Sequence, residues 1–364
     1  MNTERLHAIA IAVLDDLKIT KSEETLNQLV GALQNQVNQP QEPQFQQKVS
    51  THLKTLYEAL STAPSNDFSP AWKQALVELG LHDLLGKNLQ LRVQEIFIRN
   101  QITTSIALEE LQKIHKQLVT YKGALEQTIS GFKQLNIGAE ELEPGQCEIG
   151  VLVPRLAIHN KLGEFAEDLE DLDGIFGTFA ELTTGERPGF EIRSVSSSDL
   201  NVFLEMLPVV AAGIAVAVER IVKVYKDILE IRKLHGDLKA RGVPKNQLKG
   251  VQEYADSRMK DEIDKLTKEL LKKYYKTKDE GRQNELTTAL RFSLSKIANR
   301  IDKGYSVEIR AKSLSEEEEA QKKMTPEDKE RINAIISASK NLEFLKLEGP
   351  PILSLPESQE NHKD

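Results

Sequence analysis

LQKIHKQLVTYKGALEQTISGFKQL, residues 111–135, carries the longest periodic signal in the chain. Its mostly apolar positions recur at steps of three and four without a break, which is the spacing of one helix face. They are Leu111, Ile114, Leu118, Tyr121, Leu125, Thr128, Phe132 and Leu135. Asn136 and Gly138 are suited to end the helix. The stretch therefore predicts one long helix that packs along a coiled-coil-like seam, and with it a homo-oligomer or an obligate partner.

Shorter stripes of the same period precede this helix, at 6–17, 26–37, 45–60 and 72–79. Ser69-Pro70 supplies an N-cap and a first-turn proline for the last of them. We therefore predict that residues 1–139 form an N-terminal helical domain.

Beyond Glu143-Pro144-Gly145 the apolar residues alternate with a period of two, which is typical of β-strands. Such runs lie at 147–153, 190–195 and 305–311, and a further strand over about 200–204 follows the second of them. Since each of the three runs contains Glu-Ile, we expect them to lie in one sheet. The opposite positions carry charges: Glu148, Glu191, Arg193, Glu308 and Arg310. We expect that face to be solvated and to hold cross-strand charge pairs.

Helical periodicity returns between and after the strands. It predicts an antiparallel helical hairpin over about 251–303 that projects from an α+β domain covering 140–312. Residues 313–364 are polar and predict a loosely attached tail with one helix at about 326–343. The predicted fold class is mainly α with a small antiparallel β-sheet (α+β), a helical bundle followed by an α+β domain with a long helical hairpin.

The composition, 39% hydrophobic and 29% charged, excludes wholesale disorder. The single cysteine, Cys147, excludes an internal disulfide and any Cys-rich metal site, and it favours a reducing, cytoplasmic setting. The most apolar window, 207–218, is too short for a bilayer span, which needs about 20 residues. We expect it to be a buried core helix, with exposure to a membrane or a partner subunit as the alternative.

No catalytic, cofactor-binding or metal-binding motif is recognisable in the sequence. Gly-x-Ser-x-Gly and His-Glu-x-x-His are both absent. Cys147 and His159 are the only nearby thiol and imidazole, and an inward strand position predicts an inert thiol. The acidic run over 164–173 alternates with an apolar helical stripe, so we expect a solvated face rather than a metal site. We therefore predict no enzyme activity, no cofactor and no metal.

The net charge of −8 is unevenly distributed. Residues 220–282 hold 18 Lys and Arg against 11 Asp and Glu, whereas residues 1–219 hold 17 against 30. Within the basic segment, a cluster at the expected hairpin tip could grip phosphates and stack on bases. These candidate residues for an anionic partner are Lys272, Lys273, Tyr275, Lys276, Lys278 and Arg282. The alternative is a positive turn that complements a helix dipole, since Asp279 and Glu280 follow at once.

These observations favour a non-enzymatic interaction protein, namely a scaffold, adaptor or regulatory subunit of a cytoplasmic assembly. The first alternative is a nucleic-acid-associated protein that binds through the basic 220–282 segment. The second is a membrane-acting effector that uses the apolar 207–218 helix. A protein partner or a homo-oligomer is the expected binding mode; a membrane is the least expected partner.

Overall fold

The computed structural model describes residues 3–140, 142–143, 145–196, 200–276, 279–312, 325–342, 345 and 347–358. The helices are α1 (Thr3–Thr20), α2 (Ser22–Asn38), α3 (Pro43–Ser61), α4 (Pro70–Glu78), α5 (Gly86–Arg99), α6 (Thr104–Gln134), α7 (Leu162–Thr184), α8 (Pro208–Ala240), α9 (Lys245–Tyr274), α10 (Glu280–Asp302) and α11 (Pro326–Asn341). The strands are β1 (Cys147–Val153), β2 (Ile192–Ser196), β3 (Leu200–Met206) and β4 (Ser306–Ala311). The predicted fold class is confirmed: the protein is mainly helical with one small antiparallel sheet.

The chain divides into two compact units, Met1–Glu141 and Leu142–Asp364. The first unit contains α1–α6 around a core of aliphatic side chains. The seam of α6 buries Leu111, Ile114, Leu118 and Leu125, and α1 and α2 of the same chain pack against this helix. Because these helices cover the first half of the seam, that part does not require a second subunit. The oligomer stays a prediction.

The second unit is built on the four-stranded sheet, whose strand order is β2-β3-β1-β4 and whose pairings are all antiparallel. The prediction that the three Glu-Ile runs share a sheet is confirmed, although β3 separates β2 from β1. Cys147, Ile149, Val151 and Val153 point into the core, as the alternation predicted. Helix α8 crosses the centre of this unit and contacts β1, β4 and the helices α7, α9, α10 and α11.

The expectation that the opposite sheet face is solvated is wrong for Glu148 and Glu308, which are 1% and 3% exposed. The expected charge pairs are present: Arg310 donates from Nε to Glu148 at 3.0 Å, and Arg193 lies 3.4 Å from the same carboxylate. Alternation shows which residues share a face, but it does not show what covers that face. Here the paired arginines and the buried ring of Phe203 lie on the same side.

Two further expectations need correction. The hairpin α9–α10 does not project from the domain, since both helices pack on α8 and bury Met259, Ile263, Leu290 and Leu294. The tail is not loosely attached throughout, because α11 packs along α8 and residues 347–355 contribute apolar side chains to the core. Polar composition concealed these contacts, since a few apolar residues are enough to anchor an extended segment.

Candidate functional site

The predicted basic cluster lies at the tip of the hairpin, where α9 ends at Tyr274 and α10 begins at Glu280. Lys272, Lys273 and Lys276 are exposed there. Lys278, also predicted, lies outside the described residues. The described part of the chain provides no ion-pair partner for Lys272 or Lys276, so both ammonium groups are available to a ligand.

Arg282, in contrast, is already paired with carboxylates. Its guanidinium contacts Glu181 at the end of α7, and it donates to Glu285 at 2.5 Å. Glu181 is 7% exposed and also accepts from Nε of Arg187 at 2.6 Å. The two arginines neutralise this buried carboxylate, so Arg282 ties the hairpin tip to α7.

The two tyrosines of the cluster are anchored rather than free. Tyr274 and Tyr275 are both half-buried against the core of the second unit. The hydroxyl of Tyr275 donates to the main-chain oxygen of Asp279 at 2.8 Å, and the ammonium of Lys273 lies 5.2 Å from the centroid of the Tyr274 ring. The use of Tyr275 for base stacking stays a prediction, and it would require this ring to leave its packing.

These residues form one side of a cleft of about 650 Å³. The other sides are the end of α7, the start of α8 and the first half of α11. Apolar groups form its floor: Leu182, Val209, Ala212, Val216, Tyr274, Leu286 and Ala334. Charged groups stand around them: Glu181, Lys273, Lys276, Asp279, Arg282, Glu327, Glu330 and Arg331. The volume is within the range of binding clefts, and the eight charged side chains distinguish this cleft from a mainly apolar small-molecule pocket.

The floor includes part of the apolar window singled out in the sequence. Residues 210–215 of α8 are buried, as the core-helix prediction requires, whereas Val209 and Val216 are only half-buried and line the cleft. No helix in the described part of the chain is both long enough and apolar enough to cross a membrane.

The charges at the N-terminus of helix α11 are paired within the helix itself, and the helix packs on α8. The hydroxyl of Thr325 caps the helix by accepting from the main-chain nitrogen of Asp328 at 3.2 Å. Arg331 donates to Asp328 at 2.7 Å and lies 3.3 Å from Glu327. The hydrogen bond from Thr325, followed by that from Arg331, holds the pKa of Asp328 below its ordinary value against the opposing effect of burial. The charges on this side are therefore largely paired.

The other groups considered from sequence do not converge on a reactive site. Burial raises the pKa of the Cys147 thiol to about 12, which keeps it protonated. His159 lies on an exposed turn and pairs with Glu164 at 2.6 Å. In the acidic run, Asp168 is buried and Asp171 is half-buried, and both pair with Arg300 of α10, so the solvated-face expectation is wrong for them. Across the described residues, no group of three or more His, Cys, Asp or Glu is placed to hold a metal.

Sequence reasoning located the hairpin tip but missed the rest of the cleft. Glu181, Val216 and Arg331 come from three helices far apart in sequence, and nothing in local periodicity reports that they meet. The capping signal at Thr325-Pro326 identified a helix correctly, yet it could not show where that helix packs.

No protein-family profile, curated protein or solved structure matches this chain. The cleft and its chemistry are therefore the basis for assigning a function.

Proposed function

We propose that this chain is a non-enzymatic interaction protein, a scaffold, adaptor or regulatory subunit of a cytoplasmic assembly, that binds a protein partner in the cleft at the hairpin tip. The observation that carries the proposal is the combination of an apolar floor with a rim of both charge signs. Protein interfaces have this composition, with an apolar centre and a polar rim. An apolar side chain or helix end from the partner would enter the cleft over Val216 and Leu286.

The rim charges favour a protein over a nucleic acid. Phosphate binding uses Lys and Arg that are free to neutralise phosphates. Arg282 and Arg331 are each paired with two acidic residues, and the carboxylates of Glu327 and Glu330 stand on the same rim. A polyanion would have to break these pairs and approach the remaining carboxylates. Lys273 and Lys276 of the cleft, with Lys272 beside them, are the exposed cations at the tip that have no carboxylate partner in the described part of the chain, and they leave nucleic acid as the second candidate.

Site-specific photo-crosslinking in cells tests the proposal. A photoreactive residue replaces Ala334 or Lys276, which line the cleft, and Lys260, exposed on α9 outside it, serves as the control. We expect one protein species to crosslink from both cleft positions and not from the control. Equal products from all three positions, or nucleic acid crosslinked from the cleft, would count against the proposal.

A further inference from the structure

The C-terminal segment 347–358 forms neither helix nor strand and runs along the surface of the second unit, with two of its side chains buried. Ile352 and Leu355 are 2% and 5% exposed and belong to the core. The segment bends at Gly349 and Pro350, where Gly349 has a left-handed φ of 83°, and it lies against α8, α9 and α10. Besides these two apolar side chains, its main chain is held by polar side chains of the three helices.

Two buried charged side chains bind the main chain of residues 348–353. Arg232 of α8 donates from Nη2 to the main-chain oxygen of Gly349 at 2.7 Å and from Nε to that of Glu348 at 3.2 Å. One carboxylate oxygen of Asp302, at the end of α10, accepts from the main-chain nitrogens of Ile352 and Leu353, both at 2.7 Å.

Two more side chains continue the recognition along the segment. Asn299 donates to the main-chain oxygen of Leu355 at 2.9 Å and accepts from its nitrogen at 3.1 Å. Asp256 of α9 accepts from the main-chain nitrogen of Ser354 at 2.8 Å. Four side chains from three helices thus recognise main-chain atoms, which any extended peptide presents.

The charged pair would remain partnered without the segment. Arg232 lies 2.9 Å from Asp302 and donates to the Tyr225 hydroxyl at 2.7 Å, and that hydroxyl contacts Asp302 in turn. A buried charge is costly when it is unpaired. Because these charges contact each other, emptying the groove would leave them paired, and the atoms that lose partners would be Nε and Nη2 of Arg232 and one oxygen of Asp302.

Gly236 of α8 allows the close approach of the segment. A Cβ on this residue would lie 3.2 Å from the Cα of Gly349 and 3.4 Å from the Cδ of Pro350. Glycine is a poor helix former compared with alanine. Its presence in the last part of a long helix is explained by the chain that passes over it.

The segment itself defines the class of ligand. Ile352 and Leu355 occupy apolar sites three residues apart, and Pro350, Pro351 and Pro356 flank them. Proline fixes its own φ near about −65°, offers no main-chain donor and disfavours the helical conformation in the residue before it. Specificity therefore comes from two apolar side chains on a stiff, non-helical backbone.

We propose that this groove is a peptide-binding site, that segment 347–358 is its resident internal ligand, and that its exchange partner is an extended, proline-flanked apolar peptide of another protein. This site is separate from the cleft at the hairpin tip. A short tether to α11 gives the internal ligand an effective concentration of about millimolar. A second copy of the chain at micromolar concentration offers the same peptide at a far lower concentration, so it cannot displace the internal segment. A partner protein that makes additional contacts can displace it.

The test uses full-length chain and a labelled synthetic peptide of residues 347–358, LEGPPILSLPES, read by fluorescence anisotropy. In the released variant, Ile352→Asp and Leu355→Asp expel the internal segment. We expect this variant to bind the peptide at least tenfold more tightly than the parent does. A peptide that carries the same two aspartates should not bind.

Glycine substitutions in the released variant show where the peptide lies. Gly236→Val should weaken binding at least tenfold, because the new side chain meets the peptide main chain. Gly250→Val on α9 is the matched control, since a Cβ there meets no atom within 4 Å. Absence of binding by a folded released variant, or equal binding by both valine variants, would overturn the proposal.

A cleaved chain covers the case in which the released variant does not fold. A specific protease site is inserted after Leu342, and the protein is cut after folding. Exchange of the retained fragment for the labelled peptide supports the proposal. Unfolding on cleavage, or a fragment that never exchanges, would show that the segment is an integral part of the fold.

The oligomeric state tests the partner assignment. If the parent forms a concentration-dependent dimer and the released variant does not, a second copy is the occupant and the partner assignment is overturned.

Discussion

At the scale of single residues, Cys147 and Glu148 are neighbours on β1 that point to opposite faces of the sheet, and both are buried. Cys147 was correctly placed on the inward face of its strand, because alternation alone decides this. Glu148, one residue on, was expected in solvent but is buried beside two arginines. Those arginines come from strands far away in the sequence, so no local pattern could report the pairing.

Cys147 provides a direct test of burial. Its thiol pKa is raised to about 12 by desolvation, from an ordinary value of 9.0. We expect a thiol reagent at about pH 8 to label the native protein on the order of a thousandfold more slowly than the unfolded chain, since that reaction needs the thiolate. The measurement is labelling of this single thiol with and without denaturant. Equal rates in both would show that the strand does not bury it.

The raised pKa also implies that stability is full below about pH 9 and falls at higher pH, where only the unfolded chain loses the proton.

Asp171 tests the ion pairs between α7 and α10. Burial tends to raise its pKa, but hydrogen bonds from Lys296 at 2.6 Å and Arg300 at 2.9 Å outweigh this, and the net pKa is lowered. A lowered pKa means that the stabilisation is present above the ordinary value of 3.8 and is lost as pH falls through the folded value. Asp171→Asn removes the charge that pairs with Lys296 and Arg300, so it should lower the free energy of unfolding at neutral pH. The expected loss is about 1 kcal/mol, since the carboxylate is partly exposed and solvent weakens its ion pairs.

The Asp171→Asn deficit should shrink in urea titrations as the pH falls below about 4. Glu170→Gln, an exposed acid on the same helix with no ion-pair partner in the described part of the chain, is the control and should change little. A deficit that stays constant across this pH range would contradict the charge-based explanation.

At the scale of elements, periodicity was sufficient to predict the hairpin, the strands of one sheet and the long helix, whose stripe at 111–135 lies in a helix that begins at Thr104 and ends at Gln134. The strand order was not predictable, because β3 inserts between β2 and β1 through side-chain packing that alternation does not encode. Gly150 and Phe203 are directly paired across β1 and β3. The aromatic ring covers the glycine, and a Cβ there would lie 2.6 Å from Phe203 Cδ1.

A double-mutant cycle tests this pair. Gly150→Ala should destabilise the parent by about 1–3 kcal/mol, because the new methyl group overpacks against the ring. The same substitution should cost clearly less in a Phe203→Ala background, which leaves room for the methyl group. The free energies come from denaturant unfolding of the four chains. Equal costs in the two backgrounds would show that the ring does not determine the requirement for glycine.

At the scale of the whole molecule, the sequence gives the parts of the cleft without their assembly. The basic hairpin tip and the apolar start of α8 were both recognised, each with a separate hypothesis attached. The structure brings them into one cleft and adds the end of α7 and the start of α11. This convergence arises from packing between helices that lie tens of residues to more than a hundred residues apart in the sequence. For the same reason, paired carboxylates such as Glu181 could not be expected at a site that the sequence marks as basic.

The most direct test of the central claim is the affinity of the crosslinked partner for three purified chains, measured by titration calorimetry. These are the parent, Ala334→Trp, which fills the cleft, and Lys260→Glu, which changes an exposed residue outside it. If the cleft is the binding site, Ala334→Trp should weaken binding at least about tenfold, because substitutions at the centre of an interface have effects of this size. Lys260→Glu should bind the partner like the parent. Affinity within about twofold of the parent for a folded Ala334→Trp chain would contradict the claim that the cleft is the binding site.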